Sequence, residues 1–129
     1  MSREYLVYSV QFYKDARDRI GERFERLSCE WPAADTATEK RIVFYGAGEV
    51  AEIGYVCVQS TDLKLVGVVD SGPRRRFFGL DVQPAAALCG RTLGDMPFDR
   101  LVVMSFGERA EVEGELARIA YPTDDVSWI

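Results

Sequence analysis

A glycine turn between an apolar strand and a helix constrains this chain more than any other feature. Ile42-Val43-Phe44-Tyr45 is a short continuous apolar run, and Gly46-Ala47-Gly48-Glu49-Val50-Ala51 follows at once. That segment fits G-x-G-x-x-A. The pattern alone is weak. Here it follows a strand, opens a helix, and is succeeded 22 residues after Gly48 by Asp70, at the end of a second strand, Leu63 to Val69. That context gives the pattern its value. Each residue type has a physical reason. Gly46 allows the tight turn. Gly48 has no Cβ, so a pyrophosphate can approach the backbone. Ala51 is small enough for helix and strand to lie close. Backbone N–H groups at the helix start, over Ala47, Gly48, Glu49 and Val50, then face the phosphates together with the helix dipole. Asp70 can accept hydrogen bonds from a ribose diol. A glycine turn also serves a purely structural purpose, and Asp after a strand is a common turn residue.

The rest of the chain from Arg41 alternates strand and helix. Glu49 to Ser60 reads as a helix and Asp70 to Arg76 as a loop. Leu80 to Val82 reads as a short third strand. Pro84 to Leu88 reads as a short helix, with proline in its first turn and Gly90 at its end. Leu101 to Met104 is a further buried strand. Glu108 to Ala120 is a helix with Val112, Leu116 and Ile119 on one face, and Val126 to Ile129 is a last strand. Continuous apolar strands separated by helices are the mark of a parallel sheet covered on both faces. Right-handed crossovers then predict an α/β, Rossmann-like, doubly wound sheet of order 3-2-1-4-5.

Residues 1 to about 30 read as one long amphipathic helix. Leu6, Tyr13, Ile20 and Leu27 recur every seven residues, Val10 and Phe24 lie four beyond two of them, and Lys14, Asp15, Arg17, Asp18, Arg19, Glu22 and Glu25 occupy the other face. Trp31-Pro32 ends it, because the residue before proline disfavours helical backbone. Residues 33–40 read as a linker. Two regions follow: 1–40 for packing or dimerisation and 41–129 for the nucleotide-binding domain. The helix from Glu49 is apolar on most of its surface, through Val50, Ala51, Ile53, Tyr55, Val56, Cys57 and Val58. One face lies on the sheet, and the remainder needs a second cover. The N-terminal helix is the candidate, from this chain or from a partner, and a homodimer is expected.

Charge and composition exclude several classes. The 129 residues carry a net charge of −5, which opposes direct nucleic-acid binding because phosphate contacts need surplus Lys and Arg. There is no histidine, so the commonest general base and the usual zinc and triad chemistries are missing. Cys29, Cys57 and Cys89 are odd in number and widely spaced, which fits neither a disulfide framework nor a metal site; a cytoplasmic location is expected. No signal peptide is legible at the start, and no apolar run reaches membrane-spanning length.

Secondary candidates surround the turn. Ser71 stands beside Asp70 in the same loop. Arg74, Arg75 and Arg76 follow it, with a 2′-phosphate or a sugar-nucleotide diphosphate as the target and a solvated loop as the alternative. Asp70 repels a 2′-phosphate, which favours NAD over NADP. Ser105 follows the fourth strand, where the crevice opens, and also forms Ser105-x-x-Glu108, a capping box for the last helix. Phe77 and Phe78 are expected against the sheet edge. Tyr45 and Lys64 lack the spacing of a Tyr-x-x-x-Lys pair.

The stretch Arg41 to Ile53, then Leu65-Val-Gly-Val-Val-Asp70, then Phe78-Gly-Leu-Asp-Val-Gln-Pro84, resembles a family of small Rossmann-like domains. These occur at the start of sugar-nucleotide acyltransferases and in sugar-nucleotide dehydratases. Similar domains follow a winged helix in some bacterial transcriptional regulators, where a long helix precedes the glycine strand. The resemblance covers roughly residues 41–129 and implies binding of NAD or a nucleotide-sugar through Gly46, Gly48 and Asp70. No winged helix or acyltransferase repeat is read in this sequence, so what those partner domains do does not carry over; a DNA-binding or enzymatic partner domain or chain stands as one alternative. The leading expectation is a non-catalytic sensor or regulatory module for NAD(H) or a sugar nucleotide. The alternatives are an NAD-dependent enzyme subunit acting on sugar nucleotides and a structural dimerisation domain with a vestigial pocket.

Overall fold

β1 (Lys40–Tyr45) alternates its side chains between two separate cores, and this organises the molecule. Ile42 and Phe44 point into one core and Val43 into the other, all three fully buried. A strand buried on both faces belongs in the middle of a covered sheet. The computed structural model describes residues 3–29, 40–70, 72–73, 75–90, 92–104, 109–121 and 126–128, with the α1 side chains described at Gln11 and from Lys14 onward.

The elements run α1 (Arg3–Cys29), β1, α2 (Glu49–Val58), β2 (Leu63–Val69), β3 (Arg76–Phe77), β4 (Leu80–Gln83), a 3-10 turn (Ala85–Ala87), β5 (Leu88–Cys89), β6 (Thr92–Leu93), β7 (Met96–Pro97), β8 (Arg100–Val103), α3 (Arg109–Arg118) and β9 (Val126–Trp128). The main sheet has six strands in the order β3-β4-β2-β1-β8-β9. Pairings β4·β2, β2·β1, β1·β8 and β8·β9 are parallel, and β3 is antiparallel to β4. This is an α/β fold with a mostly parallel sheet.

On one face, Ala16, Ile20 and Phe24 of α1 and Ala51, Ile53, Cys57 and Val58 of α2 form one core with Ile42, Phe44, Leu63, Val68, Phe77, Val102 and Met104. The apolar surface of α2 away from the sheet is thus partly covered by α1 of the same chain, with Val56 left exposed. Gly54 lets α2 lie close to the sheet and to Phe24 of α1, whereas Gly21 has ordinary room opposite α2. A Cβ on Gly21 would lie 3.7 Å from Cys57 Sγ, and one on Gly54 would meet Met104 and the rings of Phe24 and Phe44. Phe24 and Phe44 stack with centroids 5.9 Å apart. Burying a side chain such as Ile20 or Phe24 contributes about 1.5–3 kcal/mol, so this half of α1 docks firmly. Ala16 completes the buried stripe, and Leu27 is partly buried. Leu6, Val10 and Tyr13 lie outside the described side chains, and residues 30–39 outside the described chain.

The other face buries Val43, Val69, Leu88, Leu93, Phe98, Leu101, Val103, Val112, Leu116 and Tyr121. α3 covers part of it. The rest is covered by a small antiparallel sheet, β5-β6-β7. This corrects the expected short helix over Pro84 to Leu88: only one 3-10 turn forms, and Gly90, at φ +57°, makes the β5–β6 turn instead of ending a helix. Leu93 explains the β2 glycine, since a Cβ at Gly67 would collide with Leu93 Cδ2. The β1–β2 register slips between Ile42 and Val43, pairing with Leu65 and Gly67, so β2 carries one extra residue there.

The stretch expected to be a loop before the third strand also forms structure. Arg76 and Phe77 pair with Asp81 and Leu80 in a two-residue hairpin. Phe77 is fully buried in the first core. Phe78 occupies the turn at φ +47° and is half exposed, its ring 4.2 Å from that of Tyr55 and nearly parallel to it. Of the two phenylalanines expected against the sheet edge, one is core and the other is turn.

Candidate functional site

The chain turns from β1 into α2 at Gly46, which has φ +114° and whose N–H donates to the Val69 carbonyl at 2.7 Å. A Cβ there would lie 3.3 Å from the Met104 carbonyl oxygen, at the end of β8. Backbone conformation and packing both require this glycine. Ala47 is buried, and its N–H donates to Asp70 Oδ2 at 2.7 Å. The carboxylate at the end of β2 therefore grips the turn at the end of β1.

Gly48 is different. It is the N-cap of α2, exposed, with extended backbone (φ −90°, ψ −160°) open to any residue. A Cβ there would have no atom of the described residues within 4 Å. Neither the backbone nor the described packing requires a glycine at this position. Gly48 offers no side-chain cap, so the first turn of α2 lacks the Ser, Thr, Asp or Asn oxygen that commonly receives its N–H groups. The result is an open helix N-terminus without a steric guard. Glu49 is exposed in that first turn, whereas Val50 packs partly against the core and Ala51 is fully buried against the sheet.

Asp70 is half-buried. Its Oδ1 accepts from the Gly72 N–H at 3.0 Å, and its own N–H donates to the Gln83 carbonyl at 2.9 Å. The Gly72 bond is an Asx turn, a geometry that Asp-x-Gly spacing favours. A carboxylate has about four lone-pair sites, so two backbone donors leave capacity for a diol. Ser71, Arg74 and Ser105 lie outside the described residues, as does Glu108 of the expected capping box. Arg76 is drawn away from the turn: its Nη1 donates to Asp81 Oδ1 at 2.9 Å and its Nη2 to the Gly79 carbonyl at 3.3 Å, on the exposed β3–β4 hairpin. Arg75 is exposed, and its carbonyl accepts from the Val82 N–H on that hairpin.

Tyr45, the last residue of β1, was not anticipated near the site. Burial raises its phenol well above the ordinary value, and a hydrogen bond to Glu115 of α3 adds to the shift. The charges of Glu115 and Asp70 push the same way, and Arg118 opposes them. Tyr45 stays a neutral hydrogen-bond donor at any physiological pH. The only signal in the sequence is a hydroxyl ending an otherwise apolar strand. Met104 was also missed: its N–H donates to the Tyr45 carbonyl at 2.9 Å while its own carbonyl crowds Gly46, so β8 clamps the turn from the other side.

The three cysteines are free thiols, with Cys29 and Cys89 exposed and Cys57 buried. The Cys57 thiol donates to the Arg17 carbonyl at 3.6 Å, and burial raises its pKa, which makes it a poor nucleophile. Among the described residues no helix is long and apolar enough to cross a membrane. Comparison with protein-family models finds no match, and comparison with curated proteins finds none either, so the chemistry of this turn is read from its own residues.

Proposed function

We propose that this chain is a Rossmann-like, non-catalytic nucleotide-binding module that holds NAD(H) or a sugar nucleotide at the Gly46–Gly48 turn. The observation that carries the reading is Gly48. Glycine costs backbone entropy, yet nothing among the described residues needs its small size at that position. Space kept clear beside an uncapped helix N-terminus suits a pyrophosphate. The strand order supports the same reading: the five parallel strands, numbered along the chain, stand 3-2-1-4-5, with the glycine turn at the end of the first. Glu49 and Asp70 place two carboxylates at the turn, which favours NAD, with a ribose diol at Asp70, over a 2′-phosphate. Binding without turnover fits a chain with no histidine.

A second reading, a structural turn with a vestigial pocket, is favoured by one observation. Both carboxylate oxygens of Asp70 already hold backbone N–H groups. Thermal unfolding with NAD, NADH, UDP-sugars and coenzyme A separates the two. A ligand present at a hundred times its Kd adds about 2.7 kcal/mol to stability. The nucleotide-binding reading predicts a concentration-dependent rise in Tm with at least one dinucleotide or sugar nucleotide. A flat response to all of them selects the vestigial pocket.

A further inference from the structure

A second cleft, apart from the glycine turn, gathers charge of the opposite sign to the rest of the chain. Arg19, Glu22, Arg23 and Arg26 of α1, Arg109 of α3 and Trp128 of β9 line a cavity of about 530 Å³. Among the described residues that line it are four guanidiniums and one carboxylate, Glu22, with Glu113 paired to Arg109 beside it, on a chain whose net charge is −5. Helical spacing explains how α1 supplies three of them. Arg19, Arg23 and Arg26 stand at i, i+4 and i+7, one position ahead of Ile20, Phe24 and Leu27. Docking the apolar stripe therefore sets the arginine stripe beside the sheet edge.

Arg23 and Arg109 are held in place. Arg23 Nε donates to the Trp128 carbonyl at 3.0 Å. Arg109 Nε donates to Glu113 at 2.8 Å, and its guanidinium carbon lies 4.5 Å from the centre of the Trp128 ring. Arg26 meets Glu22 at 3.8 Å with both side chains more than half exposed. Such an exposed pair is weak and reorganises readily. Guanidinium forks match phosphate oxygens in pairs.

We propose that this cleft binds a phosphate-bearing small molecule of pyrophosphate or nucleoside-diphosphate size. The volume lies within the range of small-molecule pockets, and the acidity of the chain as a whole opposes an extended polyanion such as RNA. The site uses none of the residues of the glycine turn.

Inorganic pyrophosphate, titrated calorimetrically into the full chain at low and high salt, tests the proposal. Saturable one-to-one binding that weakens with salt is expected. Arg19→Gln combined with Arg26→Gln should weaken it at least tenfold with the circular dichroism spectrum unchanged. Glu22→Gln, which removes the lining carboxylate, should tighten it. Arg19 and Arg26 stand outside the glycine turn, so the loss in the double variant separates this site from it. Absence of saturable binding at millimolar pyrophosphate overturns the proposal. So does undiminished binding by a folded double variant. Should the double variant fail to fold, Glu22→Gln decides: unchanged or weaker binding overturns the proposal.

Discussion

Asp70 ties two stretches of backbone together, and its replacement has a calculable consequence. Asp70→Ala leaves the Ala47 and Gly72 N–H groups without their acceptor. Removing one partner of a buried hydrogen bond costs about 1–3 kcal/mol, and the Ala47 side is buried. Urea unfolding should show a loss in that range even with no ligand present. Tyr45 supplies a pH test. Its phenol titrates higher in the folded state than unfolded, where the value is about 10. The folded state then holds the proton more tightly, so this contribution is complete below pH ~10 and is lost as pH rises beyond it. Stability measured from pH 9 to 11 should fall less steeply in Tyr45→Phe than in the parent chain. Residue types at the turn were legible in the sequence, because G-x-G-x-x-A and a distant Asp have few other uses together. The grip of Asp70 on Ala47 was not, because it depends on how two strand ends align.

Among the elements, α3 ends in a left-handed residue that is not glycine. Ala120 has φ +54°, Tyr121 N–H donates to the Leu116 carbonyl at 2.9 Å, and Ala120 N–H donates to the Ala117 carbonyl at 3.1 Å. That is a Schellman motif with alanine at its glycine position. Left-handed backbone costs an L-residue roughly 1–2 kcal/mol, and glycine gives back roughly 0.5–1 through its freer unfolded chain. Ala120→Gly should stabilise the protein by about 0.5–1 kcal/mol, read as a higher denaturant midpoint. The β3–β4 hairpin offers a contrast between neighbours. Phe77→Ala empties a fully buried site and should cost about 3–5 kcal/mol. Phe78→Asn gives up the Tyr55 stack, worth about 0.5–1.5 kcal/mol. It also relieves a strained turn position, where Asn is among the preferred residues, so the net change should stay under about 1 kcal/mol. The long apolar strands were visible by pattern. β3, β5, β6 and β7 were not, because two residues are too few to display a period.

Across the whole molecule, two cores separated by one sheet make a rigid frame at the strand ends where the glycine turn sits. α1 adds to the first core through Ala16, Ile20 and Phe24, so the apolar surface of α2 is largely covered within one chain. The sequence left open whether that cover came from this chain or a partner, because an apolar stripe does not name what it packs on. The central claim is that the Gly46–Gly48 turn holds a nucleotide. Amide-resolved NMR of the labelled chain during NAD(H) and UDP-sugar titrations tests it most directly. The account predicts saturable shifts centred on Gly46 to Val50 and Asp70, abolished in Gly48→Val, whose new Cβ meets no atom of the described residues within 4 Å and whose fold is checked by the dispersion of its own spectrum. Unperturbed amides at the turn, with every ligand in the series, would contradict it.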